Sequence, residues 1–118
     1  MWLLVIAGCT PPQGFPRSPE IAGGNVTFRY RAPGARVVQV SGSWETNFYL
    51  QGRDWTRDTR VGLMQAGEGG VWELDVPLGP GRYEYVFLVD GQMWEVDPAN
   101  PQRDQDLEGR PVSIVVVP

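Results

Sequence analysis

The amino-acid sequence predicts an all-β domain, a sandwich of two antiparallel sheets. Three observations point there: short runs in which apolar and polar residues alternate, Gly-, Pro- and Asp-containing turn signals between them, and no stretch with the apolar period of an amphipathic helix. A chain of 118 residues suffices for one core. Glycine (15) and proline (11) are used heavily but without a repeat period, while 42% of residues are hydrophobic, so turns and core material are both present.

The chain opens with MWLLVIAGCT, an apolar run too short to cross a bilayer, closed by small residues and the only cysteine. Residues 1–8 resemble a bacterial lipoprotein signal peptide with the lipobox Ile6-Ala7-Gly8-Cys9, although no Lys or Arg precedes the run. That resemblance implies cleavage before Cys9, lipidation of its thiol and a membrane anchor at the bacterial cell envelope, by default in the outer membrane because no Asp follows Cys9. Pattern alone leaves a second reading, an apolar terminus or buried first strand with a free thiol. Residues 9–20 include four prolines in TPPQGFPRSPE and read as an extended tether. The domain is then 21–118, with no strand expected before Asn25.

From Asn25 the period is two. In NVTFRYR, Val26, Phe28 and Tyr30 share one face, and Thr27, Arg29 and Arg31 the other. APG ends this strand and ARVVQVSG is the next. VWELDVPL turns Trp72, Leu74 and Val76 one way and Glu73 and Asp75 the other, so Trp72 is expected in the core. GPGR leads into YEYVFLVDG, where Tyr83, Tyr85, Phe87 and Val89 oppose Val86 and Leu88, the mark of a central strand covered on both sides. Asp90-Gly91 is a hairpin signal and QMWEV a short return strand. DPANP stops it, because each Pro removes a donor and fixes φ, and VSIVVV closes the sheet.

Residues 44–70 do not alternate and carry Trp44, Phe48, Tyr49 and Trp55, which leaves a loop folded onto the sandwich or a ligand-facing surface. The chemistry is restricted. Net charge is −4 and all ten basic residues are dispersed arginines, which argues against a nucleic-acid partner. Histidine is absent and cysteine single, which removes the usual general base, cysteine-based zinc sites and internal disulfides. Asp104, Asp106 and Glu108 have the spacing of oxygen ligands but lack the Gly and distal Glu of an EF-hand loop. Glycoside hydrolysis needs two carboxyls flanking a bond in a cleft. The sequence therefore predicts neither an enzyme nor a metal or other cofactor.

The runs VTFRYRAPGARVVQVSGSW, GVWELDVPLGPGRYEYVFLVDG and WEVDPANP, in this order, resemble the early-set glycogen-binding modules. These are the family-48 carbohydrate-binding modules, the N-terminal domains of branching and debranching enzymes, and the AMP-activated kinase β-subunit. The resemblance covers most of residues 25–118 and implies an immunoglobulin-like sandwich that holds an α-glucan or related oligosaccharide. In glycogen-binding members the sugar lies on two tryptophans and a lysine, helped by polar residues before the last strand. Aromatic faces suit the apolar C–H face of a glucose ring, while nearby donors and acceptors take its hydroxyls. Trp94, three residues before Asp97-Pro98, stands at one tryptophan. Asn47 or Phe48 falls at the other, where Trp55 substitutes if its loop folds back. Val86 stands at the lysine, and Arg110 and Val112 at the polar pair.

Two functions are compatible with this pattern: a membrane-anchored, non-catalytic carbohydrate-binding module, or an interaction module that kept the fold, lost the sugar contacts, and uses residues 44–70 against an envelope protein. The candidate sugar-binding residues are Trp94, Trp55, Phe48 and Asn47. Alternation after Asp90-Gly91 sends Met93 and Trp94 to opposite faces. Met93, the better gap filler, is expected inside and Trp94 outside, although pattern alone also allows a core tryptophan.

Overall fold

The computed structural model describes residues 14–45 and 60–118. The lipobox with Cys9, and the candidates Asn47, Phe48 and Trp55, lie outside the described residues. Nine strands run through the described part: β1 (Glu20–Ala22), β2 (Asn25–Arg31), β3 (Val38–Gly42), β4 (Gln65–Ala66), β5 (Val71–Pro77), β6 (Gly81–Val89), β7 (Met93–Glu95), β8 (Arg103–Gln105) and β9 (Pro111–Val117). One sheet is ordered β1-β2-β5-β4, and the other β3-β6-β9-β8 with β7 also beside β6. Every pairing is antiparallel, as an all-β immunoglobulin-like sandwich requires.

The core lies where the alternation of the long strands places apolar side chains between the sheets. Val26, Phe28 and Trp72 of one sheet meet Val40, Tyr85 and Phe87 of the other. The rings interlock tilted, Phe28 on Tyr85 at 4.7 Å and Tyr30 on Phe87 at 4.8 Å between centroids, as their quadrupoles favour. Trp72 is a core residue, and its indole N–H donates to the Ala32 carbonyl at 3.0 Å. Trp44 stacks on Phe28 at 5.4 Å and lies so close to Gly42 that a Cβ there would collide with its ring. In β6, Tyr85 through Leu88 are all buried, so this strand is covered on both sides.

Three expectations are corrected. The first concerns the tether. Ser18 is buried, its Oγ accepts a hydrogen bond from the Arg29 N–H at 3.0 Å, and β1 pairs Glu20 with Thr27 and Ile21 with Val26. Glu20 also meets the Arg29 guanidinium at 2.7 Å. A strand thus precedes Asn25, and domain contacts reach back to Arg17, whose carbonyl accepts from Arg29 at 3.0 Å. Pro19 is tolerated because it stands just before a short edge strand, where a missing N–H breaks no ladder. The second is β8, which sequence reading missed because a three-residue edge strand exposed along its length shows no alternation. The third is Met93, which is 56% exposed instead of inside. Its cross-strand partner Val89 is itself only partly buried, so the core has thinned at this end of the hairpin.

Candidate functional site

β6 has a face turned away from the core, formed by Arg82, Glu84, Val86 and Leu88. The register extends this face sideways. Leu88 lies between Gln39 of β3 and Trp94 of β7, Val86 opposite Ser41, Glu84 opposite Ile114, and Asp104 of β8 opposite Val112. Trp94 packs onto the cluster of Val86, Val112 and Ile114, outside the main core, and stays partly exposed. Its apolar base is an outer-face patch. Leu63 bridges to Gln39 and is 43% exposed, which continues the apolar band beyond β3.

Both ends of β7 are fixed. At the hairpin, Asp90 (φ 53°) and Gly91 (φ 66°) are consecutive left-handed residues, and the Asp90 carboxylate accepts from the N–H groups of Arg36 and Val37 at 2.7 and 3.0 Å. These two bonds, Val37 first, hold that carboxyl below its ordinary range. At the other end, Asp97 is fully buried. It accepts from the Tyr85 hydroxyl at 2.7 Å and from the Ala99 N–H at 3.0 Å, while its own N–H donates to Ser113 Oγ at 2.8 Å. Asn100 Nδ2 donates to the Tyr85 oxygen at 3.0 Å and to the Ile114 carbonyl at 2.8 Å. Burial pushes the Asp97 carboxyl up, against the hydrogen bonds from Ser18, Tyr85 and Ala99 and the charge of Arg103. Burial and the nearby Asp97 charge likewise push the Tyr85 hydroxyl well above its usual range. DPANP is therefore more than a strand breaker. It carries a buried polar knot directly behind the strand that presents Trp94.

The turn between β8 and β9 closes around Asp106. Its carboxylate accepts from the N–H groups of Glu108 and Arg110, both at 2.9 Å, and from Arg110 Nε at 2.8 Å. Burial opposes its charge but these donors outweigh it, holding the carboxyl below its ordinary range. Arg110, at the position of the expected polar pair, is thereby committed to the turn. Leu107 at its tip is 95% exposed. Across β9, Arg82 reaches Asp104 at 2.8 Å and lies 3.6 Å from Glu84. Among the described residues no group of three or more metal-ligating side chains comes together.

Of the positions carried over from the family pattern, Trp94, Val86 and Val112 come together on one outer patch, and Arg110 sits beside it in the turn. Arg82, Asp104 and Glu84 share that face and went unrecognised in the sequence. Arg82 and Glu84 were readable, since they alternate in phase with Val86, but Asp104 depends on the missed strand.

Comparison with known proteins identifies the family and agrees with the sandwich fold. The family model described as the glycogen recognition site of AMP-activated protein kinase matches residues 24–118. Protein PTST homolog 2, chloroplastic, of Arabidopsis thaliana is 53% identical over 38 residues, covering 32% of this chain and 7% of that protein. Protein FLOURY ENDOSPERM 6, chloroplastic, of Oryza sativa subsp. japonica is 45% identical over 47 residues, 40% of this chain and 8% of that protein. The matched stretches are thus a small part of each relative. Among solved structures, one assigned provisionally as an α-amylase, from Salmonella typhimurium, matches with a TM-score of 0.58 and 29% identity, over 87% of this chain and 15% of that one.

Proposed function

Since the chain belongs to the family of the glycogen recognition site of AMP-activated protein kinase, we propose that it is a non-catalytic module that binds an α-glucan on the outer face of its five-stranded sheet. The observation that carries this reading is the placement of Trp94. It is a partly exposed indole resting on Val86, Val112 and Ile114, away from the main core and held at both ends of its strand. Such a ring can lie against the apolar face of a glucose unit while edge groups meet the hydroxyls.

Titrating a linear maltooligosaccharide into wild type and Trp94→Leu tests it. Leucine keeps an apolar cover over the patch but removes the flat ring, so affinity should fall at least tenfold while the fold persists. Wild-type affinity in Trp94→Leu would remove the tryptophan from the site. A wild-type chain that binds neither maltooligosaccharide nor glycogen would refute the glucan reading altogether.

One observation favours a second reading, the envelope protein-interaction module. With Val86 and Val112 in place of polar groups, and Leu63 and Val116 exposed at 43% and 52%, the face is more apolar than sugar hydroxyls require. We also propose that Cys9 is lipidated and tethers the module to a membrane of the bacterial envelope. The support is the IAGC motif closing an apolar run.

A further inference from the structure

The polar contacts expected from the family pattern are absent from their usual positions, because Val86 and Val112 occupy them and Arg110 is held by Asp106. The same face nevertheless carries polar groups of its own. Arg82 leaves β6 opposite Val116, and its guanidinium meets Asp104, which leaves β8 opposite Val112. Between Val116 and Val112 on β9 lies Ile114, one of the residues under Trp94. Arg82 and Asp104 therefore reach toward each other across the far side of the patch that Trp94 covers. Glu84, beside Ile114, approaches the same guanidinium.

We propose that the Arg82–Asp104 ion pair, with Glu84 beside it, is the polar half of the sugar-binding face and reads the hydroxyls of a glucan chain whose apolar ring face rests on Trp94. This rests on the glucan reading above. From the Leu88–Trp94 row to the Glu84–Ile114 row is four residues of strand, about 13 Å at ~3.3 Å each, room for more than one sugar ring. A guanidinium offers donors and a carboxylate acceptors, so the pair presents both side by side, as two neighbouring hydroxyls present both to it. Hydrogen bonds to ionised groups are about twice as strong as neutral ones. Half of the Arg82 side chain and 56% of Asp104 face solvent, so both remain open to a ligand. Each already orients the other, which lessens the ordering that binding must impose. An ion pair this exposed contributes little to folding, so its removal can be read in binding without a loss of stability.

The test measures affinity and Tm together for wild type, Arg82→Ala, Asp104→Asn and Trp94→Leu against maltoheptaose. Arg82→Ala and Asp104→Asn should each weaken binding about tenfold, the equivalent of about 1.4 kcal/mol, with Tm unchanged. Wild type should also bind a deoxy chain lacking ring hydroxyls about tenfold more weakly, whereas Arg82→Ala should hold the two chains more nearly alike. If Arg82→Ala lowers Tm sharply, Asp104→Asn, which keeps the side-chain shape, decides the matter. Wild-type affinity in both polar variants, with Trp94→Leu impaired, overturns this inference and leaves the glucan reading standing. Absence of binding by wild type overturns both.

Discussion

Tyr85→Phe removes one oxygen from the centre of the buried polar knot. The ring keeps its packing on Phe28, but Asp97 loses a donor at 2.7 Å and Asn100 an acceptor at 3.0 Å, with no water-exposed route to replacements because Tyr85 and Asp97 are fully buried. Asn100 Nδ2 keeps the Ile114 carbonyl at 2.8 Å, so most of the loss falls on the carboxylate. A hydrogen bond to a charged group contributes about 1.5–3 kcal/mol, so the variant should be about 2–3 kcal/mol less stable by urea denaturation at neutral pH. The pH dependence has a definite sign. Burial raises the Asp97 carboxyl in the folded state, so its contribution is most favourable below the unfolded pKa of about 3.9 and is lost as pH rises through the folded value. Without the Tyr85 donor, the charged form is disfavoured further and the folded pKa rises more. The gap between wild type and variant should therefore narrow on acidification, toward about 1 kcal/mol for a bond between neutral groups. A difference under 0.5 kcal/mol at neutral pH, or one that widens as pH falls, would refute this account of the knot.

A fragment of residues 21–118 should fold but melt well below one that begins at Gly14. It lacks the Ser18 acceptor for the Arg29 N–H, the Arg17 carbonyl and the Glu20 ion pair, together about 2–3 kcal/mol; equal Tm values would show these contacts to be idle. The mature protein should begin at Cys9, carry acyl chains and partition with membranes, all of which Cys9→Ala abolishes. Intact mass decides, and an unmodified thiol with Met1 still attached would end the lipoprotein reading.

The long strands were legible because they are long. Seven residues of β2 and seven of β5 alternate for several periods, enough to assign Phe28, Tyr30 and Trp72 their faces from the sequence alone. β1 and β8 have three residues each, too few to establish a period. β1 also follows immediately on Pro19 in a segment whose prolines suggest a tether. It pairs with β2 across a tight hairpin at Gly23-Gly24, both at positive φ, and Arg29 of β2 adds contacts from its backbone N–H and guanidinium to Ser18, Arg17 and Glu20. The Arg29 contacts leave no local pattern in the residues that make them, whereas the Gly23-Gly24 turn was a readable hairpin signal.

Met93 and Trp94 illustrate the same limit at the site. Alternation correctly assigned them to opposite faces, but a face is inside only where another sheet covers it. At the hairpin end the core has thinned, so Met93 is exposed on the inner side, while Trp94 finds apolar cover on the outer side from Val86, Val112 and Ile114. A choice between core and ligand surface omits this third environment, an apolar patch on the back of a central strand. Val86 and Leu88 signalled it, since a strand apolar on both faces needs cover on both. Among the described residues, Trp94 supplies that outer cover by packing on Val86, Val112 and Ile114. The same logic explains why the polar partners went unseen. Arg82 and Asp104 become neighbours only through the register of β6, β9 and β8. A pairing built across an intervening strand is a property of the sheet, and neither residue's own segment contains it.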